Sequence, residues 1–302
     1  MYLKELGTTG ISIAEVGLGT ANYHAGPEPL RRGLQEGALF VDTAESYGSE
    51  PVVAEAISGM RDRVFVATKV SPQNFRSQAL RRSVESSLLR LRVGVIDLLQ
   101  LHEPNPPIPI EETLGAMTEL VDVGKVRFIG VSNFSVAQLQ EAQKASKKYP
   151  IVSNQIRYNI VDRTIEKDLL PYCQANRITI IAYSPLAGGL HRTRDCDPEE
   201  TVEHLAKDTG KTSAQIILNW CLCKQGVVTI PRANSVARII ENCGASGWRL
   251  SAEQLALLDN NIHYRFRSRF ETMVRQHTPR SVLRVGLRLL KYLPRGLRRR
   301  IT

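Results

Sequence analysis

The sequence lacks any apolar run of the roughly 18 residues that a membrane-spanning helix needs. Its first residues do not combine a basic segment with an apolar core, so no signal peptide is expected. Cysteine is scarce, and five cysteines without regular spacing fit reduced thiols rather than a disulfide framework. These absences favour a cytoplasmic protein, and an apolar share of 42% is typical of a globular one.

Several functional motifs are also missing. Gly17-Leu18-Gly19 is only a fragment of the glycine fingerprint of Rossmann folds, so a dinucleotide site of that type is unsupported. Cys221-Leu222-Cys223 has the wrong spacing for a zinc knuckle and the six histidines are scattered, so no metal site is expected. Ser132 and Ser184 lack the flanking glycines of a nucleophile elbow.

Positive charge is concentrated at the end of the chain. Residues 265–302 contain eleven arginines and one lysine against one glutamate, a net charge of +11 in a chain whose total is +10. Residues 1–264 therefore carry a net charge of −1. A nearly neutral body with a cationic tail needs two separate explanations.

The tail has the pattern of a basic amphipathic helix over residues 279–293. Packing of its apolar face onto the body is the simplest explanation. An anionic membrane surface is the competing partner for residues 265–302, which would make the protein peripheral at the membrane. Nucleic acid is disfavoured, because few aromatic residues are interleaved with the arginines.

Strand-like apolar runs alternate with helical patterns along residues 1–262. Gly7-Thr8-Thr9-Gly10 predicts an N-terminal β-hairpin between residues 2–6 and 11–16. Eight strands follow, at 16–19, 38–42, 64–69, 95–101, 126–131, 151–155, 178–183 and 226–230. Helices are predicted near 28–36, 49–59, 76–91, 110–123, 135–147, 165–175, 199–223 and 235–243. The alternation predicts an α/β fold, and eight strands favour a (β/α)8 TIM barrel over a doubly wound sheet. We therefore predict one barrel domain, 1–262, and a basic tail, 263–302.

Four chemically active side chains lie at the ends of successive predicted strands. Asp42 ends the second strand, and Tyr47 follows it by five residues. Lys69 ends the third strand and His102 follows the fourth, so all four are expected on one face of the barrel. A phenol is a weak acid near neutral pH, and a protonated amine beside it stabilises the phenolate. Each residue alone could be a cap, a packing ring or a solvated charge, but together they favour proton transfer.

Later strand ends predict a bound nucleotide. Polar and small residues follow the fifth and seventh strands, where they could contact an amide, a planar ring and a phosphate. Arginines follow the eighth strand, where barrels often bind phosphate, although they could also be ordinary surface charges. The candidate cofactor-binding residues are Ser132, Asn133, Tyr183, Ser184, Pro185, Leu186, Ile230, Pro231, Arg232, Arg238, Glu241 and Asn242.

Taken together, these segments resemble the aldo-keto reductase superfamily, in its prokaryotic form. Residues 42–48 resemble its first signature, residues 88–102 its second, and residues 124–134 the run around its nicotinamide site. The resemblance extends from about residue 3 to 262. It implies a TIM barrel that binds NADPH across its C-terminal face, with Tyr47 as the general acid and Asp42, Lys69 and His102 completing a catalytic tetrad. The implied cofactor contacts also include Gly19, Thr20, Asp42 and Gln155.

The chain departs from the family pattern at positions that concern substrate and cofactor. Glu103 stands where many members have tryptophan, and the segments 103–110 and 187–198 are short. Ala233 replaces a hydroxyl found in many NADPH-preferring members, so NADH remains open. The expected function is reduction of a small-molecule aldehyde or ketone. The alternative is a nucleotide-sensing barrel subunit with weak or no turnover, associated with a membrane through its tail.

Overall fold

The computed structural model describes residues 1–264. The tail at 265–302, with its predicted helix at 279–293, lies outside the described residues. Within residues 1–264, no helix is both long and apolar enough to cross a membrane.

Eight parallel strands form one curled sheet in which each strand pairs with its neighbour in sequence. Val16, ahead of the first of these strands, bridges in parallel to Thr229 on the last, and the amide of Thr229 donates to the Glu15 carbonyl at 2.8 Å. These contacts join the two edges, which confirms the predicted (β/α)8 barrel. Its strands are β3 (Leu18–Gly19), β4 (Phe40–Asp42), β5 (Phe65–Val70), β6 (Ile96–Leu101), β7 (Val126–Ser132), β8 (Ile151–Arg157), β9 (Thr179–Tyr183) and β10 (Val227–Thr229).

Helices connect the strands on the outside of the barrel. The pattern predicted as one helix over 199–223 forms two, because Gly210 adopts a left-handed φ of +66° and Thr212 starts a new helix with a capping box. Two helices, Leu190–Arg194 and Ala252–Asn261, were not predicted. The helices are α1 (Pro27–Gln35), α2 (Glu50–Ile57), α3 (Ser77–Leu91), α4 (Ile110–Asp122), α5 (Val136–Ala145), α6 (Leu169–Ala175), α7 (Leu190–Arg194), α8 (Thr201–Thr209), α9 (Ser213–Leu222), α10 (Val236–Cys243) and α11 (Ala252–Asn261).

The predicted hairpin, β1 (Leu3–Glu5) with β2 (Ser12–Ala14), closes the N-terminal end of the barrel. Leu6 and Ile13 are buried in one apolar cluster with Phe40 and other inward-facing barrel residues. The buried carboxylate of Glu15, next to β2, accepts hydrogen bonds from Arg249 and Ser246. The hairpin thus packs across the N-terminal end of the barrel, and the carboxyl ends of the strands lie at the opposite face.

Candidate active site

The predicted residues Asp42 and Lys69 form a buried ion pair at the C-terminal ends of β4 and β5. The Lys69 Nζ lies 2.5 Å from Asp42 Oδ1, and it also donates to the Thr43 carbonyl at 2.8 Å. Burial alone lowers the pKa of Lys69, but attraction to Asp42 and to Tyr47 outweighs it and the pKa is raised overall. The amine is therefore held as an ammonium ion inside the barrel mouth.

Two amide side chains hold the second oxygen of the same carboxylate. Gln155 donates to Asp42 Oδ2 at 2.7 Å, and Gln100 donates to it at 3.1 Å. Gln155 is among the predicted cofactor contacts, whereas Gln100 was not predicted. The signal available in the sequence was a glutamine within an otherwise apolar run, Leu98-Leu99-Gln100-Leu101, since a polar side chain in a buried strand needs a partner.

Tyr47 and His102 contact each other at the mouth of the barrel. Tyr47 lies on a 3₁₀ turn, Glu45–Tyr47, that ends at Gly48 with a left-handed φ of +71°. Its hydroxyl lies 3.3 Å from Nε2 of His102, and the Lys69 Nζ is 5.0 Å from the centre of the phenol ring. The fold thus brings the four predicted catalytic residues into one connected group.

The ends of β7, β8 and β9 meet beside this group. Asn133, with a left-handed φ of +64°, donates through its amide to the His102 carbonyl at 3.1 Å and to Ser132 Oγ at 3.0 Å. The hydroxyl of Tyr183 donates to Asn133 Oδ1 at 3.0 Å. Amide and hydroxyl groups of Ser132, Asn133 and Tyr183 are therefore linked to one another and to His102, which contacts Tyr47.

The chain after β9 turns sharply. Ser184 and Ala187 have left-handed φ values of +50° and +56°, which are uncommon for residues with a Cβ and occur often at binding sites. Asn159 fixes this turn by donating to the Ser184 carbonyl at 3.1 Å. Pro185 is buried and Leu186 is half-buried, so the turn presents little side-chain bulk.

The segment after β10 holds the predicted phosphate-binding arginines. Arg232 is exposed and has no ion-pair partner within residues 1–264, whereas Arg238 pairs with Glu241 at 2.6 Å. Asn242 is buried on the same helix, α10, whose N-cap is Ser235. Ile230 and Pro231 are buried where the strand ends. One free guanidinium near a helix N-terminus suits a phosphate group.

The first strand contributes the remaining predicted contacts. Gly19 is buried, and a Cβ on it would lie 2.5 Å from the Ile230 carbonyl oxygen. The hydroxyl of Thr20 donates to the Asp42 carbonyl at 2.9 Å and accepts from Ser49 at 2.9 Å. Thr20 is thus tied to the strand end that carries Asp42.

A different concavity, of about 930 Å³, opens at the N-terminal face of the barrel. It is lined by Phe65, Phe128, Arg61 and Arg127, among others, and by none of the predicted site residues. Both arginines pair with Asp97. The candidate active site is therefore not this concavity. It lies at the C-terminal face, where the titratable residues contact one another.

Comparison with known proteins agrees with the geometry. A model of the Aldo/keto reductase family matches residues 6–262. Methylglyoxal reductase YeaE of Escherichia coli is 37% identical over 233 residues, which cover 76% of this chain and 82% of that protein. Glyoxal reductase of Bacillus subtilis is 33% identical over 256 residues, covering 83% and 89%. The crystal structure of an aldo-keto reductase from Klebsiella pneumoniae in complex with NADPH superposes with a TM-score of 0.82 at 36% identity, covering 88% and 98%. The chain therefore belongs to the aldo/keto reductase family.

Proposed function

We propose that this protein is an NADPH-dependent reductase of aldehydes and ketones. The observation that carries the proposal is the contact of the Tyr47 hydroxyl with His102 at 3.3 Å, beside the buried ammonium of Lys69. Family membership and the NADPH bound to the Klebsiella pneumoniae relative support it.

The residues around the tetrad suit this cofactor. Ser132, Asn133 and Gln155 would hold the carboxamide of nicotinamide, and Tyr183 would lie against its ring. Arg232 would bind the 2′-phosphate, with Arg238 assisting if it leaves Glu241. The bound cofactor supplies a hydride to the carbonyl carbon.

Within this proposal, Tyr47 donates its proton to the carbonyl oxygen as negative charge develops there. The Lys69 ammonium stabilises the phenolate that Tyr47 leaves behind, because opposite charges attract strongly where water is excluded. Asp42, fixed by two glutamine amides, keeps Lys69 charged and in place. His102 orients the carbonyl oxygen toward Tyr47.

We infer small dicarbonyl compounds as the first substrates to test. The two curated relatives described above are named for methylglyoxal and glyoxal.

Oxidation of NADPH in the presence of methylglyoxal, glyoxal and simple aldehydes tests the function. We expect Tyr47→Phe to retain NADPH binding and to lose at least about 10²-fold in kcat, since it cannot donate a proton. Tyr149→Phe is the matched control, because Tyr149 is half-buried and its hydroxyl donates to Asp122 rather than to any residue of the candidate site. Tight NADPH binding without turnover on any carbonyl would favour the nucleotide-sensing alternative, and full activity of Tyr47→Phe would refute the mechanism.

We also propose a cytoplasmic protein whose tail binds anionic membranes. The net charge of +11 over residues 265–302 and the five free cysteines support this. Sedimentation with anionic vesicles would compare the intact chain with residues 1–264 and with a variant carrying Arg284→Glu and Arg288→Glu. Binding that is equal for all three would refute the membrane proposal.

A further inference from the structure

Glu45 is a half-buried carboxylate at the start of the turn that carries Tyr47. It accepts three hydrogen bonds. The Ser71 amide donates to Oε1 at 2.6 Å, the Asn74 side chain donates to Oε1 at 3.0 Å, and the Ser83 hydroxyl donates to Oε2. The turn contains only three residues, and Ser46 and Gly48 are exposed. The contacts of Glu45 therefore fix a segment that has little packing of its own.

The donors to Glu45 come from the strand end that carries Lys69. Ser71 follows Lys69 by two residues, and Asn74 ends the 3₁₀ helix Pro72–Asn74 directly after β5. Ser83 lies on α3. Glu45 lies two residues before Tyr47, the proposed proton donor. Its hydrogen bonds therefore attach the turn that carries Tyr47 to the chain that follows Lys69.

Glu50 makes the corresponding link on the other side. It is 1% exposed, accepts a hydrogen bond from Thr68 at 2.7 Å and pairs with Arg90 at 2.6 Å. Thr68 precedes Lys69, so the segment that carries Tyr47 is attached to β5 both before and after the lysine.

We propose that Glu45 is a positioning residue that sets the distance of Tyr47 from Lys69 and His102. This inference rests on the proposed function, in which Tyr47 is the acid. The Tyr47 hydroxyl is 3.3 Å from His102, at the long end for a hydrogen bond, so a small shift of the turn breaks the contact. Displacement of a reacting group by about 1 Å can cost on the order of 10²-fold in rate.

Glu45→Ala and Glu45→Gln separate position from charge. Alanine removes all three hydrogen bonds, and we expect kcat to fall by 10- to 100-fold while the Kd for NADPH stays within about twofold. In Glu45→Gln the amide oxygen still accepts from Ser71 and Asn74, and its NH₂ group donates to the Ser83 hydroxyl. We therefore expect Gln to restore most of the activity.

The pH profile supplies a readout that a purely structural role would not move. Glu45→Ala and Glu45→Gln both lack the carboxylate charge, so the two variants are compared with each other. In the alanine variant Tyr47 lies less favourably toward the Lys69 ammonium, and the alkaline limb of its kcat/KM profile is expected at higher pH than in the glutamine variant. Ser46→Ala, on the same turn, and Glu55→Ala, an exposed glutamate of α2, are the matched controls and should leave kcat and the profile unchanged. Far-ultraviolet circular dichroism and thermal melting verify that each variant folds.

Unchanged kcat and pH profile in folded Glu45→Ala would overturn the proposal. Equal loss in Glu45→Gln and Glu45→Ala would also overturn it, because the charge rather than the position would then matter. If the alanine variant does not fold, Asn74→Ala tests the proposal instead. It removes one of the three hydrogen bonds to Glu45, so a smaller loss of kcat is expected, and an unchanged kcat would contradict the proposal. These failures are distinguishable from failure of the proposed function, which would appear as no carbonyl turnover by the wild type, and from failure of the mechanism, which would appear as full activity of Tyr47→Phe.

Discussion

The Nζ of Lys69 lies 2.5 Å from Oδ1 of Asp42, and the two side chains are 0% and 2% exposed. If either partner is removed, the charge of the other remains buried without water to solvate it. The loss in unfolding free energy when one partner is removed is therefore set less by the attraction within the pair than by the unpaired buried charge that remains.

Substitution Lys69→Met is expected to destabilise the protein by about 3–5 kcal/mol, because it leaves the Asp42 carboxylate buried with only amide donors. The double variant Asp42→Asn with Lys69→Met should recover part of this loss. Urea unfolding followed by circular dichroism measures the difference. A single variant as stable as the wild type would mean that water reaches the carboxylate.

The same pair predicts how stability depends on pH. The pKa of Lys69 is raised in the folded protein. The contribution of its ammonium group to the unfolding free energy is therefore fully present below the pKa of lysine in the unfolded chain, about 10.4. It is lost as the pH rises through the higher folded value. The difference in unfolding free energy between the wild type and the Lys69→Met variant should stay constant from pH 7 to about 10 and shrink above that. A difference that already falls between pH 7 and 9 would contradict the assignment.

Three cysteines should resist thiol reagents in the folded protein. Burial raises the pKa of Cys173, Cys221 and Cys243 to about 12 in each case, so almost no thiolate forms near neutral pH. Cys196 and Cys223 are only half-buried. Titration with Ellman's reagent at pH 8 should give at most two fast thiols in the native state and five after denaturation. Rapid reaction of all five in the native state would contradict this burial.

The two arginines that we propose to bind the cofactor are expected to contribute unequally to its affinity. Arg232 is unpaired within the described part of the chain, whereas Arg238 must share its guanidinium with Glu241. We expect Arg232→Ala to raise KM for NADPH by roughly 10- to 100-fold with little effect on NADH, since a charged hydrogen bond contributes about 1.5–3 kcal/mol. Arg238→Ala should do so less strongly. Arg82→Ala, an exposed change on α3, is the control, and equal effects on the two cofactors would argue against phosphate recognition.

Much of the barrel could be predicted from the sequence, because strands buried on both faces are continuous apolar runs. The division of 199–223 into two helices was missed, although Gly210 and the Thr212 capping box were both visible in the sequence. The role of Gln100 could not be predicted, since it depends on which side chain lies across the barrel from it. The pairing of Arg238 with Glu241 follows from their three-residue spacing, but both were interpreted only as cofactor contacts.

Close packing where the barrel closes explains the glycine at the end of the first strand, Gly19. Gly17-Leu18-Gly19 has no meaning as a partial nucleotide fingerprint, but a Cβ on Gly19 would approach the carbonyl oxygen of Ile230 to 2.5 Å, where the barrel closes. Backbone oxygen cannot rotate away as a side chain can, so the two edges would have to separate.

Gly19→Ala should therefore destabilise the barrel by about 1–3 kcal/mol. Gly115→Ala is the matched control, because its Cβ would meet nothing within 4 Å and it lies inside α4. Alanine is favoured over glycine in a helix interior, so this control should gain roughly 0.5–1 kcal/mol. Thermal and urea unfolding of both variants compare two identical chemical changes with opposite expected signs. Equal shifts would show that close approach at the barrel seam is not the reason for glycine at this position.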